Sequence, residues 1–193
     1  MYLEGGDLFR ITEGELLRFG LSAGLDIDAE TVVELQRSAA RSETRVRAAN
    51  MVSARPLSRR ELTKRLCEKG AAEADAEETA DWLEEIGALN DGDYAAMLAR
   101  HYSGAGYGEA KIRDELYRRG VPRELWEEAL SVLPEAQETI MRVIEQKTKG
   151  RALDEKGRKR LSDMLLRRGF AWRDVRAALA RFCENAAEFD YEE

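Results

Sequence analysis

The sequence predicts an all-α protein of three tandem three-helix repeats, preceded by a small N-terminal extension of β-hairpin plus helix. Three observations carry that expectation. The first is a register about three glycines, Lys69-Gly70, Arg119-Gly120 and Arg168-Gly169, which recur at nearly equal spacing. Eight residues before each glycine stand Leu62, Ile112 and Leu161, and four before stand Leu66, Leu116 and Leu165. Six after stand Ala76, Trp126 and Val175, ten after Ala80, Leu130 and Leu179, and thirteen after Leu83, Leu133 and Phe182. Apolar columns aligned at such a period are the mark of a repeat architecture. The second observation is the content of 3 Pro in 193 residues, with an abundance of Ala, Leu, Glu and Arg, so helix is permitted nearly everywhere. The third is the lack of β-branched apolar runs that a doubly wound sheet or a sandwich would need.

Element by element, residues 1–43 form the extension. Tyr2-Leu3-Glu4-Gly5-Gly6-Asp7-Leu8-Phe9-Arg10-Ile11 places apolar residues on both sides of a Gly-Gly-Asp turn, the pattern of a hairpin. Thr12 precedes Glu15 at the capping-box spacing, which predicts a short helix over 13–19. Asp28 caps a second helix through about Ala40. The repeats follow over 44–90, 91–134 and 135–183. First helices are expected near 44–53, 91–103 and 135–147. Middle helices span 58–69, 108–119 and 155–168, and third helices 75–87, 123–133 and 172–183. Each middle helix carries its apolar pair at i and i+4, one helical face. A cation followed by Gly at its end predicts a left-handed C-cap at Gly70, Gly120 and Gly169. Ser58 with Glu61 reads as a second capping box. Gly104-Ala105-Gly106-Tyr107-Gly108 reads as a flexible connector between helices. The tail 184–193 carries five acids and no base and is expected to fray. A unit of this size is marginal alone, so the repeats are expected to stabilise one another.

Charged residues make up 36% of the chain, against about 25% in an ordinary domain. The net charge is −7, which argues against a non-specific nucleic-acid coat. Its distribution is more informative than its sum. Arg59, Arg60, Lys64, Arg65 and Lys69 lie on the first middle helix. Lys111, Arg113, Arg118 and Arg119 lie on the second, and Arg158, Lys159, Arg160, Arg167 and Arg168 on the third. The third helix of repeat 1, expected over 75–87, carries with its lead-in Glu73, Asp75, Glu77, Glu78, Asp81, Glu84 and Glu85 and no base. A basic track on equivalent helices fits an acidic partner or nucleic acid. Solvated helix faces with i, i+4 pairs such as Glu61–Arg65 account for the same pattern, and composition leaves both readings open.

Several chemistries are excluded. Cys67, His101 and Cys183 are too few and too scattered for a structural zinc site. They read as two reduced cytosolic thiols and a surface histidine, with Cys67 expected half-buried beside the core column. The Gly104–Gly108 loop has no GK[ST] after it and no strand before it, so it is not a phosphate loop. No carboxylate pair stands out as catalytic, and no cofactor is implied. The N-terminus lacks the basic and apolar regions of a signal peptide, and no apolar stretch approaches the roughly 20 residues of a membrane span. A helix-turn-helix about Gly70 would put the acidic 75–87 helix against duplex phosphates, which repel it.

Several segments together resemble one known family. Ser58-Arg59-Arg60-Glu61-Leu62, Leu66-Cys67-Glu68-Lys69-Gly70 and Trp82-Leu83-Glu84-Glu85-Ile86-Gly87-Ala88-Leu89-Asn90-Asp91 with Tyr94-Ala95 resemble the first-repeat signature of the RecX regulatory proteins. Gly106-Tyr107-Gly108, Ile112-Arg113-Asp114-Glu115-Leu116 and Arg119-Gly120-Val121 resemble the second, and Leu165-Leu166-Arg167-Arg168-Gly169-Phe170 the third. The resemblance covers about 44–183. It implies three tandem repeats in an elongated curved array, and a non-enzymatic, monomeric, cytoplasmic regulator of the RecA recombinase. Such a protein binds in the groove of the RecA–DNA filament, generally as an inhibitor, and thereby modulates recombination, DNA repair and the SOS response. Some members also contact single- or double-stranded DNA. The resemblance names the partner, and the basic track named above is the surface expected to meet it. Direct, sequence-nonspecific DNA binding through the same helices, or a helical adaptor for another protein, are the alternatives.

Overall fold

The computed structural model describes residues 10–149, 151 and 153–189, with side chains to Glu184 at the C-terminal end. All regular structure among these residues is helical. The expected hairpin falls on residues 1–9, outside the described residues, and Arg10 and Ile11 form no strand. The chain divides into two compact units, residues 1–90 and 91–193.

In the first unit, α1 (Glu13–Arg18) begins with the capping box read from Thr12 and Glu15. Asp28 caps α2, but this helix runs from Ala29 to Ala54 instead of stopping near Ala40. Between the two helices expected there lie Arg41-Ser42-Glu43, which include neither Gly nor Pro. Thr44 donates its hydroxyl to the Ala40 carbonyl within the helix, so nothing breaks the ladder. α3 (Arg59–Glu68) and α4 (Glu73–Glu85) complete the unit. Ser58 accepts from the Glu61 amide, as expected of a cap, while the Glu61 carboxylate turns to Arg55 and Arg65. Leu62, Leu66, Ala76, Ala80 and Leu83 meet Ala48, Leu57 and Leu89 in one core.

In the second unit, α5 (Asp91–Gly104), α6 (Glu109–Arg118), a 3₁₀ turn (Arg123–Leu125) and α7 (Trp126–Ser131) pack about Ile112, Leu116, Val121 and Ala129. α8 (Ala136–Thr148), α9 (Glu155–Arg167) and α10 (Trp172–Phe189) pack about Ile140, Ile144, Leu165, Val175 and Phe182. α10 continues to Phe189, so the expected frayed tail begins as helix. The middle-helix pairs are at most 7% exposed in all three repeats. Gly70, Gly120 and Gly169 have φ of 91°, 73° and 88°, and each ends its helix. The residue after each glycine donates to the carbonyl of Leu66, Leu116 or Leu165, closing a Schellman turn.

The Gly104–Gly108 segment is a close-packed junction, not the flexible connector expected. Gly106 and Gly108 are buried. The Gly106 carbonyl accepts from Arg168 at 3.1 Å, and the Arg168 guanidinium lies over the Tyr107 ring. Tyr107 in turn packs edge-on against Tyr102. Glycine here serves close approach between segments distant in sequence, which no local pattern announces.

Candidate functional site

The fourteen track cations divide into two groups when their partners are followed. On α3, Arg59 is spent on α4. Its guanidinium reaches Glu84 at 2.6 Å and Glu77 and Asp81 at 2.7 Å, and its side chain is only 28% exposed. Burial pushes its pKa down, the three carboxylates push it up, and the net direction is up. The acidic face of α4, conspicuous in the sequence, is therefore partly an internal counter-charge. Arg41 meets Asp75, and Arg45 meets Glu78, on the same helix. Arg65 pairs with Glu61 at 2.9 Å, and Lys64 loosely with Glu68 at 3.8 Å. Arg60 and Lys69 are exposed and carry no ion pair among the described residues. Cys67 is exposed, not half-buried, because the position three before Gly70 faces away from the Leu62–Leu66 stripe.

On α6 the cations are internally engaged. Lys111 and Arg118 flank Glu115 at 3.2 and 3.1 Å, and Arg113 bridges Glu109 and Glu127 at 2.8 Å each. Arg119 donates to the Tyr94 hydroxyl at 3.1 Å. Glu115 is buried, and burial alone would raise its pKa. Hydrogen bonds from Lys111 and Tyr102, with the charges of Arg118 and Lys111, outweigh that and lower it. The Glu127 and Glu109 carboxylates raise that of Arg113.

α9 is different. Arg168, at its C-cap, is engaged with Gly106 and Tyr107. Arg158, Lys159, Arg160 and Arg167 are exposed and have no ion pair among the described residues, and the same holds for Lys156. At 100° per residue, Lys156, Lys159, Arg160 and Arg167 fall on the face opposite Leu161 and Leu165, with Asp163 among them. The helix that follows extends the charge beyond the track read from the sequence. Arg173, Arg176 and Arg181 on α10 are exposed. Arg173 keeps a side chain 91% exposed while touching Asp174, and Trp172 beside it is 60% exposed. Residues 151–181 hold ten Lys and Arg against four Asp and Glu. A count along the whole repeat, instead of along its middle helix, exposes this signal.

His101 is exposed in the last turn of α5. Among the described residues no group of three or more His, Cys, Asp or Glu is placed to hold a metal ion. No helix among them is long and apolar enough to cross a membrane. An open cleft between α8 and α10 is lined by Glu135, Glu138, Met141, Glu145 and Arg181.

Fold and surface together define a helical-repeat protein whose cations stand out in one repeat. Residues 90–130 match the family model for the RecX second three-helix domain. The regulatory protein RecX of Chromohalobacter salexigens is 32% identical over 139 residues, covering 72% of this chain and 91% of that protein. That of Xanthomonas axonopodis pv. citri is 31% identical over 137 residues, covering 68% and 83%. The chain belongs to the RecX family of regulatory proteins. Against regulatory protein RecX of Pseudomonas putida it is 40% identical over 83 residues, 43% of this chain, and spans 58% of that protein's length. Two crystal structures share the fold. One is of regulatory protein RecX, with a TM-score of 0.71 at 20% identity, covering 92% of this chain and 90% of that one. The other is of RecX from Lactobacillus salivarius, with a TM-score of 0.68 at 19% identity, covering 75% and 97%.

Proposed function

We propose that this chain is a non-enzymatic inhibitor of the RecA recombinase that binds along the groove of the RecA–DNA filament. It would act in the cytoplasm, as a monomer, on recombination and repair. Membership of a family of regulatory proteins supports the class, and a chain of successive helical units suits a filament because such units can spread contacts over a long span. The observation that carries the reading is the cation face of α9, the part of the basic track least neutralised within the chain. Engaged pairs on α6 and the clamp of Arg59 make those residues poor candidates for contact, so the proposed surface narrows to Lys156, Lys159, Arg160 and Arg167, with Arg60 and Lys69 on α3. The same free cations favour a second reading, direct sequence-nonspecific contact with DNA phosphates.

RecA-catalysed ATP hydrolysis on single-stranded DNA, with and without this protein, tests the proposal. Wild type should lower the rate at a low ratio to RecA. Each exposed contact contributes at most about 1 kcal/mol, so single changes will be small. A combined Lys156→Glu, Lys159→Glu, Arg160→Glu, Arg167→Glu variant should weaken inhibition by about 2–4 kcal/mol of binding, while retaining its circular dichroism. A wild-type protein without effect on RecA from its own source, at any ratio, overturns the proposal. Salt-sensitive binding to naked DNA without effect on RecA selects the second reading.

A further inference from the structure

The three middle helices begin in different ways. α3 is capped by its own Ser58 and α9 by its own Asp154, whose carboxylate accepts from the Gly157 amide at 2.7 Å. α6 begins at Gly108, which has no side chain to offer. The first N–H groups of a helix need acceptors from elsewhere. Here they come from the following repeat. The Gly108 amide donates to the Arg168 carbonyl at 2.8 Å, and the Ala110 amide to the Gly169 carbonyl at 3.2 Å. The negative end of the α9 dipole thus meets the positive end of that of α6. A Cβ on Gly108 would collide with the Gly169 carbonyl, and a Cβ on Gly169 with the Lys111 backbone. Two side chains brace the junction. Arg168 holds the Gly106 carbonyl, and Arg142 on α8 donates to the Ser103 carbonyl at 2.9 Å.

We infer that α6 borrows its N-cap from the C-terminal end of α9, so that the first turn of α6 is ordered only while repeat 3 is docked on repeat 2. The junction is a coupling device. Whatever displaces the end of α9 also frees the start of α6, and whatever steadies α9 orders it. Both glycines are positioning residues, required because two backbones must touch. The inference stands on backbone geometry and does not depend on RecA being the partner.

Amide hydrogen exchange in the full-length protein, resolved by residue, tests it. In wild type the amides of Gly108 and Ala110 should exchange at least a hundredfold more slowly than an unstructured chain. Exchange of both at the unstructured rate would overturn the inference. Gly108→Ala blocks the approach and supplies no cap, so the amides at 108 and 110 should exchange at least tenfold faster, with those of Leu116 and Leu165 unchanged. Gly108→Ser blocks the approach but offers a hydroxyl to the Lys111 amide. It should protect Lys111 more than the Ala variant does, while the amide at 108 stays fast. Unchanged protection at 108 and 110 in a folded Gly108→Ala protein would overturn the inference. If both variants lose their circular dichroism, the wild-type rates decide.

Discussion

Glu15 is a buried carboxylate with four donors around it. The Thr12 amide lies at 2.7 Å, the Ser42 hydroxyl at 2.7 Å, the Ser38 hydroxyl at 3.1 Å and the Thr12 hydroxyl at 3.2 Å. Burial pushes its pKa up, but these bonds favour the charged form more, and the net direction is down. A lowered folded pKa means the stabilisation is complete above the unfolded value, near 4.5, and is lost as pH falls through the folded one. The docking of α1 on α2 should therefore loosen below about pH 4.5. Exchange of the Thr12 and Glu15 amides will report it. Glu15→Gln should cost about 1–3 kcal/mol at neutral pH and remove that acid limb. Leu116→Ala, at a fully buried column position, should cost about 2–5 kcal/mol in denaturant unfolding, because a cavity replaces packed methyls. At this scale the sequence was informative where one residue answers to one local rule. The leucine pairs and the glycine caps follow from helical period and left-handed φ. The serines that hold Glu15 lie on a different helix, 23 and 27 residues away, and no local rule points to them.

Among the elements, helix type and order were legible because amphipathic period and C-cap signals repeat three times. The continuity of α2 was not. A polar stretch such as Arg41-Ser42-Glu43-Thr44 can end a helix or lie on its surface, and only the packing against α1 and α4 decides. Which cations of the basic track are neutralised within the chain is not legible for a related reason. Net charge per helix ignores the neighbouring helix, and α4 brings Glu77, Asp81 and Glu84 to Arg59. Arg59→Ala should therefore weaken the α3–α4 contact by about 1 kcal/mol, read as a shift in the urea midpoint, while leaving the proposed inhibition of RecA by the folded protein near wild type. The charge reversals on α9 should do the opposite, sparing stability and reducing inhibition. A variant pair that behaved alike in both measurements would show that α3 and α9 share one role.

At the scale of the whole molecule, three groups of helices, each about its own core, carry different electrostatics. The first faces its acids inward onto its own arginines, the second pairs its cations locally, and the third leaves them to solvent. Binding through the third should weaken between 0.1 and 1 M salt, as the Debye length falls from about 10 to about 3 Å, and titration of inhibition against ionic strength measures it. The borrowed cap of α6 also has a meaning in time. Gly108 and Arg168, whose carbonyl accepts from the Gly108 amide, are 60 residues apart in the chain (168 − 108). At roughly 5–20 residues per second, a ribosome delivers that partner about 3–12 s after Gly108 itself. During vectorial synthesis repeat 2 must wait with one helix end open, and it closes only once the C-terminal end of α9 has been made.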